Sequence, residues 1–434
     1  MKENKFSCDM LEFIEKSPTS FHAVANVKET LLSSGFTELK EATKWNIEAD
    51  GKYFVTRNGS AIIAFKMPSH LDYSAFAICA SHSDSPSFKL KENAEMIAEG
   101  CVKLNVEKYG GMLCAPWYDR PLSIAGRIAY KECKNGGFAI KTKLVNIARD
   151  LLLIPNLAIH MNRDANKGLE YNVQDDMLPV FALGSEKGGI MNIVAKETGV
   201  EKADIVSADL YLYNRDKGTF WGANNEFIAS PRLDDLECVY SSMRAFIEGE
   251  NKNNVAVLSV FDNEEVGSGT RQGADSSLLE DVLRRINLCT KKSEEEYYMS
   301  LAKSFLVSAD NAHGVHPNFA SKADPVNRPR LNGGIVIKFN AAQKYTSDSV
   351  SAALFELICK SADVPYQFFT NRSDIAGGST LGNISTSHVS IPSVDIGLAQ
   401  WAMHSPMESA GALDAEYMKK ALVSFFGADF TIED

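Results

Sequence analysis

The sequence predicts an α/β protein: a mixed, largely parallel sheet sandwiched by helices, with a β-rich segment inserted into it. Three observations carry that expectation. Short apolar runs alternate with helical patterns over the C-terminal half, the rhythm of a layered, largely parallel sheet. From about 91 to 225 the rhythm stops, and short β-like pieces are separated by Gly, Asn and Asp turns, as in KECKNGGFAIKTKL. Metal-type side chains lie on both sides of that stretch, so the first domain is discontinuous. The expected division is 1–90 with 226–434 as one domain and 91–225 as the insert.

The runs read as buried strands are SAFAICASH (74–82), NVAVLSVFD (254–262), SFLVSAD (304–310), GGIVIKFN (333–340) and HVSIPSVDIGL (388–398). Each is a short apolar stretch bounded by polar or turn residues. Helical patterns fall between and after them at 234–248, 276–288, 347–362 and 410–426. At the N-terminus, Phe6, Met10, Phe13 and Ile14 recur at helical spacing until Pro18-Thr19-Ser20 interrupts. A second amphipathic helix then covers 20–34, with Thr19 or Ser20 as its N-cap and Gly35 at its end.

The chain has 434 residues, enough to bury a core without disulfide staples. Its net charge of −11, with no Lys/Arg-rich patch, argues against a nucleic-acid partner. Eight cysteines with no CxxC pair argue against a thiolate zinc site and read as free thiols in a reducing compartment. No run approaches the roughly 20 apolar residues that cross a bilayer. The polar opening MKENKFSCDMLEFIEK lacks a signal-peptide core. The expectation is a cytoplasmic protein with no membrane partner.

The chemistry is concentrated where the apolar runs end, which is where open α/β sheets build their sites. His82 leaves the first run, and Asp84 stands two residues on, placed to accept the second ring N–H and fix the tautomer. Asp234 and Asp235 open a helix, where one of them can serve simply as a cap. Asp262, Glu264 and Glu265 crowd the end of the 254–262 run before Gly267 and Gly269. One such carboxylate can hold a metal while its neighbour takes a proton from water. Asp310 sits at the next strand end, with His313 and His316 beyond it as a further ligand pair or as loop structure. His404 follows the last strand, and Glu408 can hold it or cap a helix.

Two imidazoles and three carboxylates suit zinc, manganese or cobalt rather than copper or iron–sulfur centres. With one carboxylate bridging, five ligands give each of two ions three protein contacts. A serine hydrolase is excluded by the lack of a GxSxG elbow. A nucleotide fold is excluded because Gly377–Gly382 has neither a P-loop Lys nor a preceding strand.

The ordered set SHSDSPSFKLK, SPRLDD, FDNEEVGS, SADNAHGVHPN and AMHSPMES resembles the M18 family of metallopeptidases, the aspartyl-aminopeptidase group. KSPTSFHAV and IPNLAIHMNR also match, so the likeness spans nearly the whole chain. The resemblance implies a zinc-exopeptidase fold with an inserted dimerisation domain, and dimers assembling into a tetrahedral dodecamer. It implies release of N-terminal residues, commonly acidic ones, by a two-metal site, usually zinc. By motif match His82 and Asp310 hold one ion, Glu265 and His404 the other, and Asp234 bridges them. Glu264 is then the base, Asp84 orients His82, and His160 reaches into the partner subunit's site. Lys338 matches a basic position that meets an acidic substrate side chain. Ser373–Thr380 departs from the family pattern near the substrate pocket, which bears on the first-residue preference. The alternatives are the same chemistry on neutral, leucine-type termini, a deacylase, and a catalytically silent assembly member.

Overall fold

A computed structural model describes residues 4–134 and 137–432. The Asn135-Gly136 turn read from the sequence lies outside them. Among the described residues the main sheet has nine strands. Four of them, Val255–Phe261, Phe76–His82, Phe305–Ala309 and Ser393–Gly397, lie side by side and parallel at its centre. Ala61–Lys66 and Ile335–Phe339 flank this block antiparallel, which makes the sheet mixed.

The unbroken apolar character of the central strands follows from burial on both faces. Ala77, Cys79, Ala256, Leu258 and Val260 enter one core, with Phe246 of helix Leu233–Glu248 and Phe425 of helix Asp414–Gly427. Their neighbours Phe76, Ile78, Val255, Val257 and Phe261 point the other way, onto Leu283 and Ile286 of helix Leu278–Thr290. The period of two thus divides one strand between two helical layers. Deleting a large side chain here, as in Phe425→Ala, is expected to cost about 3–5 kcal/mol.

Boundaries differ from the sequence reading in two places. The strand expected over 388–398 begins at Ser393, and Leu381–His388 is a helix. Pro392 precedes the strand and has no N–H to offer the ladder. The last helix starts at Asp414, because Glu408–Gly411 forms a short strand first. At the N-terminus, helix Ser20–Ser33 is preceded by Thr19 as N-cap, and Gly35 follows it at φ +83°.

The chain between these halves builds a second, six-stranded sheet from pieces of 87–214. Its neighbouring strands are antiparallel, and its core of Phe88, Leu104, Trp117, Ile124 and Leu212 is separate from the other two. A five-stranded sheet, which includes Phe227–Ser230, Ala399–Trp401 and Glu408–Gly411, carries the approaches to Asp234 and His404. No helix among the described residues is long and apolar enough to cross a membrane.

Candidate metal centre

Parallel register decides what meets at the carboxyl ends of the central strands. Phe261 pairs with His82, so the turn bearing Glu264 and Glu265 rises beside the histidine. Phe305 pairs with Ala77 on the other side, which brings the strand leading to Asp310 to the same edge.

His82 is 1% exposed. Its Nδ1 lies 3.1 Å from the Asp84 carbonyl and 3.4 Å from the Asp84 carboxylate. Its Nε2 faces Asp234 Oδ1 at 3.3 Å and Asp310 Oδ1 at 3.9 Å. With a proton on Nδ1, the Nε2 lone pair points into the carboxylate cluster, as a metal ligand requires. Burial opposes charging of His82, but the carboxylates of Asp235, Asp234 and Asp84 outweigh it and raise its pKa well above the usual value.

Asp234 departs from helical geometry at the start of its helix. Its N–H donates to Glu408 Oε2 at 3.0 Å, and the other Glu408 oxygen accepts the N–H of His404 at 2.7 Å. One buried carboxylate therefore fixes the backbone of two site residues. His404 Nε2 then lies 3.5 Å from Asp234 Oδ2 and 3.4 Å from Glu265 Oε2. Asp235 is no simple helix cap: it accepts the backbone N–H of His82 at 3.1 Å.

Asp84 does more than face His82. Its two oxygens accept the N–H groups of Glu264 at 3.1 Å and Glu265 at 3.2 Å. The Tyr109 hydroxyl donates to it at 2.6 Å, and Asn263 donates to that hydroxyl at 2.8 Å. Burial, and then the Asp84 charge, raise the Tyr109 pKa and keep the phenol a donor.

Ligand atoms of His82, Asp234, Asp235 and Asp310 lie within 4.8 Å of one another. So do those of His82, Glu264 and Glu265, and those of Asp234, Glu265 and His404. All five expected ligands and the expected base thus fall in three overlapping clusters, with Asp234 common to two. Burial first, and then neighbouring carboxylates, push Glu265 well above the carboxylate range and Glu264 to about 8. Asp234 Oδ1 and Glu265 Oε1 are buried without a hydrogen-bond partner. Buried acceptors left unpaired among like charges are costly unless cations neutralise them. The donor set therefore fits divalent ions.

Four further residues singled out in the sequence fall outside the three clusters. Lys338 is 2% exposed, and its ammonium donates to the Asp310 carbonyl at 2.8 Å. It sits 3.9 Å from the Asp310 carboxylate, beneath that residue. His160 lies in an exposed turn of the 87–214 segment, outside the three clusters. His313 and His316 make ring contacts with Phe369 and Phe319, and neither joins a cluster. Tyr109 and Asn263 were not singled out by sequence reasoning. Tyr109 belongs to the other sheet, and no spacing within the site motifs points to it.

A family profile described as "Aminopeptidase I zinc metalloprotease (M18)" matches residues 13–426. The chain belongs to the M18 family of zinc metalloaminopeptidases. A probable M18 family aminopeptidase 2 of Clostridium acetobutylicum is 48% identical over 430 residues, covering 98% of this chain and 99% of that protein. A namesake in Pseudomonas savastanoi pv. phaseolicola is 39% identical and covers 96% and 97%. Among solved structures, Ape4 in complex with Nbr1 superposes with a TM-score of 0.93 at 36% identity, covering 98% of this chain and 87% of that one. The S. cerevisiae mApe1 dodecamer gives 0.84 at 28% identity, with 97% and 96% covered. The M18 fold therefore extends over nearly the whole chain, and the chain is a hydrolase of N-terminal peptide bonds.

Proposed function

We propose that this M18 aminopeptidase works through two divalent ions, zinc in the first instance, held by His82, Asp234, Glu265, Asp310 and His404. The observation that carries the reading is the overlap of two ligand clusters, one with His82 and Asp310 and one with Glu265 and His404, on the single carboxylate of Asp234. His82 and Asp310 lie on one side of it and Glu265 and His404 on the other. When bound, the ions supply Lewis-acid activation of water and of the scissile carbonyl.

The chain supplies the proton transfers and the geometry. Glu264 takes a proton from the attacking water and returns it to the leaving amine. Asp84 holds His82 in the Nδ1–H tautomer and fixes the Glu264 backbone. Glu408 holds the backbones of Asp234 and His404 in register. Lys338, pinned under Asp310, supports the reading of a positive charge that orients that ligand, alongside the expected contact with an acidic substrate side chain.

The substrate class proposed is peptides with acidic N-terminal residues, with neutral termini as the competing preference. Residues 91–225 are proposed as the dimerisation domain, with assembly into a dodecamer of the kind the mApe1 structure is named for. His160, exposed among Leu157, Ile159 and Met161, is proposed to meet a partner subunit and donate to the developing oxyanion there. The compartment proposed is the cytoplasm, consistent with free cysteines such as Cys79, Cys238 and Cys359.

Glu264→Gln tests the reading. It removes the base and leaves the ligand set intact, so kcat should fall by about 10²–10⁴-fold at unchanged metal content. Retained turnover in that variant would show that Glu264 is not the base. A kcat/KM panel over N-terminal Asp, Glu, Leu and Ala substrates decides the preference.

A further inference from the structure

We infer that Tyr109 is a positioning residue for this reaction, a strut from the six-stranded sheet to the turn that carries the base. The inference rests on the reading of Glu264 given above.

Tyr109 is the last residue of strand Cys101–Tyr109. Its ring meets Tyr211 of the same six-stranded sheet edge-on, with centroids 5.6 Å apart at 86°. That contact fixes the ring from its own sheet. The hydroxyl then crosses to the other domain layer and makes two hydrogen bonds there, to Asp84 and from Asn263. Asn263 is the residue before Glu264 and adopts a left-handed conformation at φ +62°. Its own Oδ1 accepts from Thr270 and Gln272, both at 2.8 Å, so the Tyr109 contact joins a closed network around the turn.

The next residues extend the same contact. Gly110 has φ +78°, and a Cβ there would stand 3.1 Å from the Glu265 Cβ and 3.2 Å from its carbonyl. The Leu113 N–H donates to the His404 carbonyl at 3.2 Å. Within five residues the chain thus touches the surroundings of Asp84, Glu264, Glu265 and His404.

The bland reading is that the phenol merely satisfies a buried carboxylate. Asp84 retains two backbone N–H donors without it, so a purely structural role predicts little change in catalysis. A positioning role predicts a freer Asp84 and a freer base. Displacement of a reacting group by about an ångström can cost up to 10²-fold in rate.

The experiment uses the full-length, zinc-loaded enzyme as Tyr109→Phe, with Glu264→Gln alongside. The expected result is a kcat lower by about ten-fold, with KM and zinc content within two-fold of the parent. Amide exchange should quicken at 263–266 while the strands Phe76–His82 and Val255–Phe261 keep their protection. Parental kcat with parental exchange at 263–266 overturns the proposal. So does a loss of activity that tracks loss of zinc or of global protection, since that is a folding defect. If Glu264→Gln stays active, the reading of the base fails. The exchange measurement on Tyr109→Phe still decides whether the strut holds the turn.

Discussion

Two regions of the molecule carry features that a solitary soluble chain would avoid, and the features are opposite in kind. At the carboxyl ends of the central strands the buried groups are acids. Asp84, Asp234, Asp235, Asp310 and Glu408 are all under 9% exposed, with Lys338 as a buried cation among them. On the six-stranded segment the exposed groups are apolar: Phe138, Leu183, Met161, Val206 and Leu157 are between 57% and 103% exposed. Uncompensated charge inside a fold is costly until a cation joins it. Uncovered apolar surface is costly until another surface meets it. On the reading proposed above, ions complete the first region and a partner subunit covers the second.

Experiments can break that division, beginning with the greatest expected effect. Chelation should abolish turnover and lower the melting temperature, and readdition of zinc should restore both. A chelator-treated enzyme that melts unchanged would show that the acid cluster is stable without cations. Next, His160→Ala should lose on the order of 10²-fold in kcat if its donor serves an oxyanion in the partner's site. Mixing it with Glu264→Gln chains should recover activity in hybrid assemblies, and no recovery would place His160 outside a shared site. Charge reversal of the apolar surface, as Leu157→Asp with Met161→Asp, should reduce the mass seen by sedimentation while each chain stays folded. Unaltered mass would remove this surface from the interface.

The smallest effect expected concerns Asp209, which ties the two regions' scaffolds together. It accepts from Lys89 at 3.1 Å and Arg127 at 3.0 Å, and Arg127 lies over the Phe21 ring. Burial alone would raise its pKa, but Lys89 and Arg127 hold it below the usual range. A carboxylate depressed in the folded state contributes stability above its unfolded pKa of about 3.9 and loses it as pH falls through the folded value. At 34% side-chain exposure the pair is partly screened, so Asp209→Asn should cost about 1 kcal/mol at pH 7. The difference from the parent should shrink as urea titrations are moved from pH 5 towards pH 3. A penalty independent of pH would mean that charge is not the cause.

Much of the centre was legible in the sequence because each ligand closes an apolar run or opens a helix. His82 ends a buried strand, Asp310 follows one directly and Glu265 lies in the turn just beyond one, and an acid or imidazole there has few structural uses. What the sequence could not show depends on register between distant strands. Asp84 captures the Glu264 and Glu265 amides only because Phe261 pairs with His82. Tyr109 reaches Asp84 only because Tyr109 pairs with Ser87 at the mouth of the second sheet. For Lys338 the motif match offered contact with an acidic substrate side chain, and nothing in the sequence pointed to Asp310 as its neighbour. The lysine lies within the sheet, in a strand whose alternation sends its side chain inward under Asp310. The strand expected from 388 was shortened by Pro392, a local rule that the apolar pattern masked.

Asp84 has a further consequence. A carboxylate offers about four lone-pair directions, and here they meet a phenol, two amides and an imidazole. Little remains on it for a cation, although it lies beside His82. Its hydrogen bonds and its place outside the three ligand clusters together keep it from coordinating. Severing one of its donors would therefore do more than loosen a loop. It would return a vacant lone pair to the centre and let Asp84 compete with the intended ligands for metal.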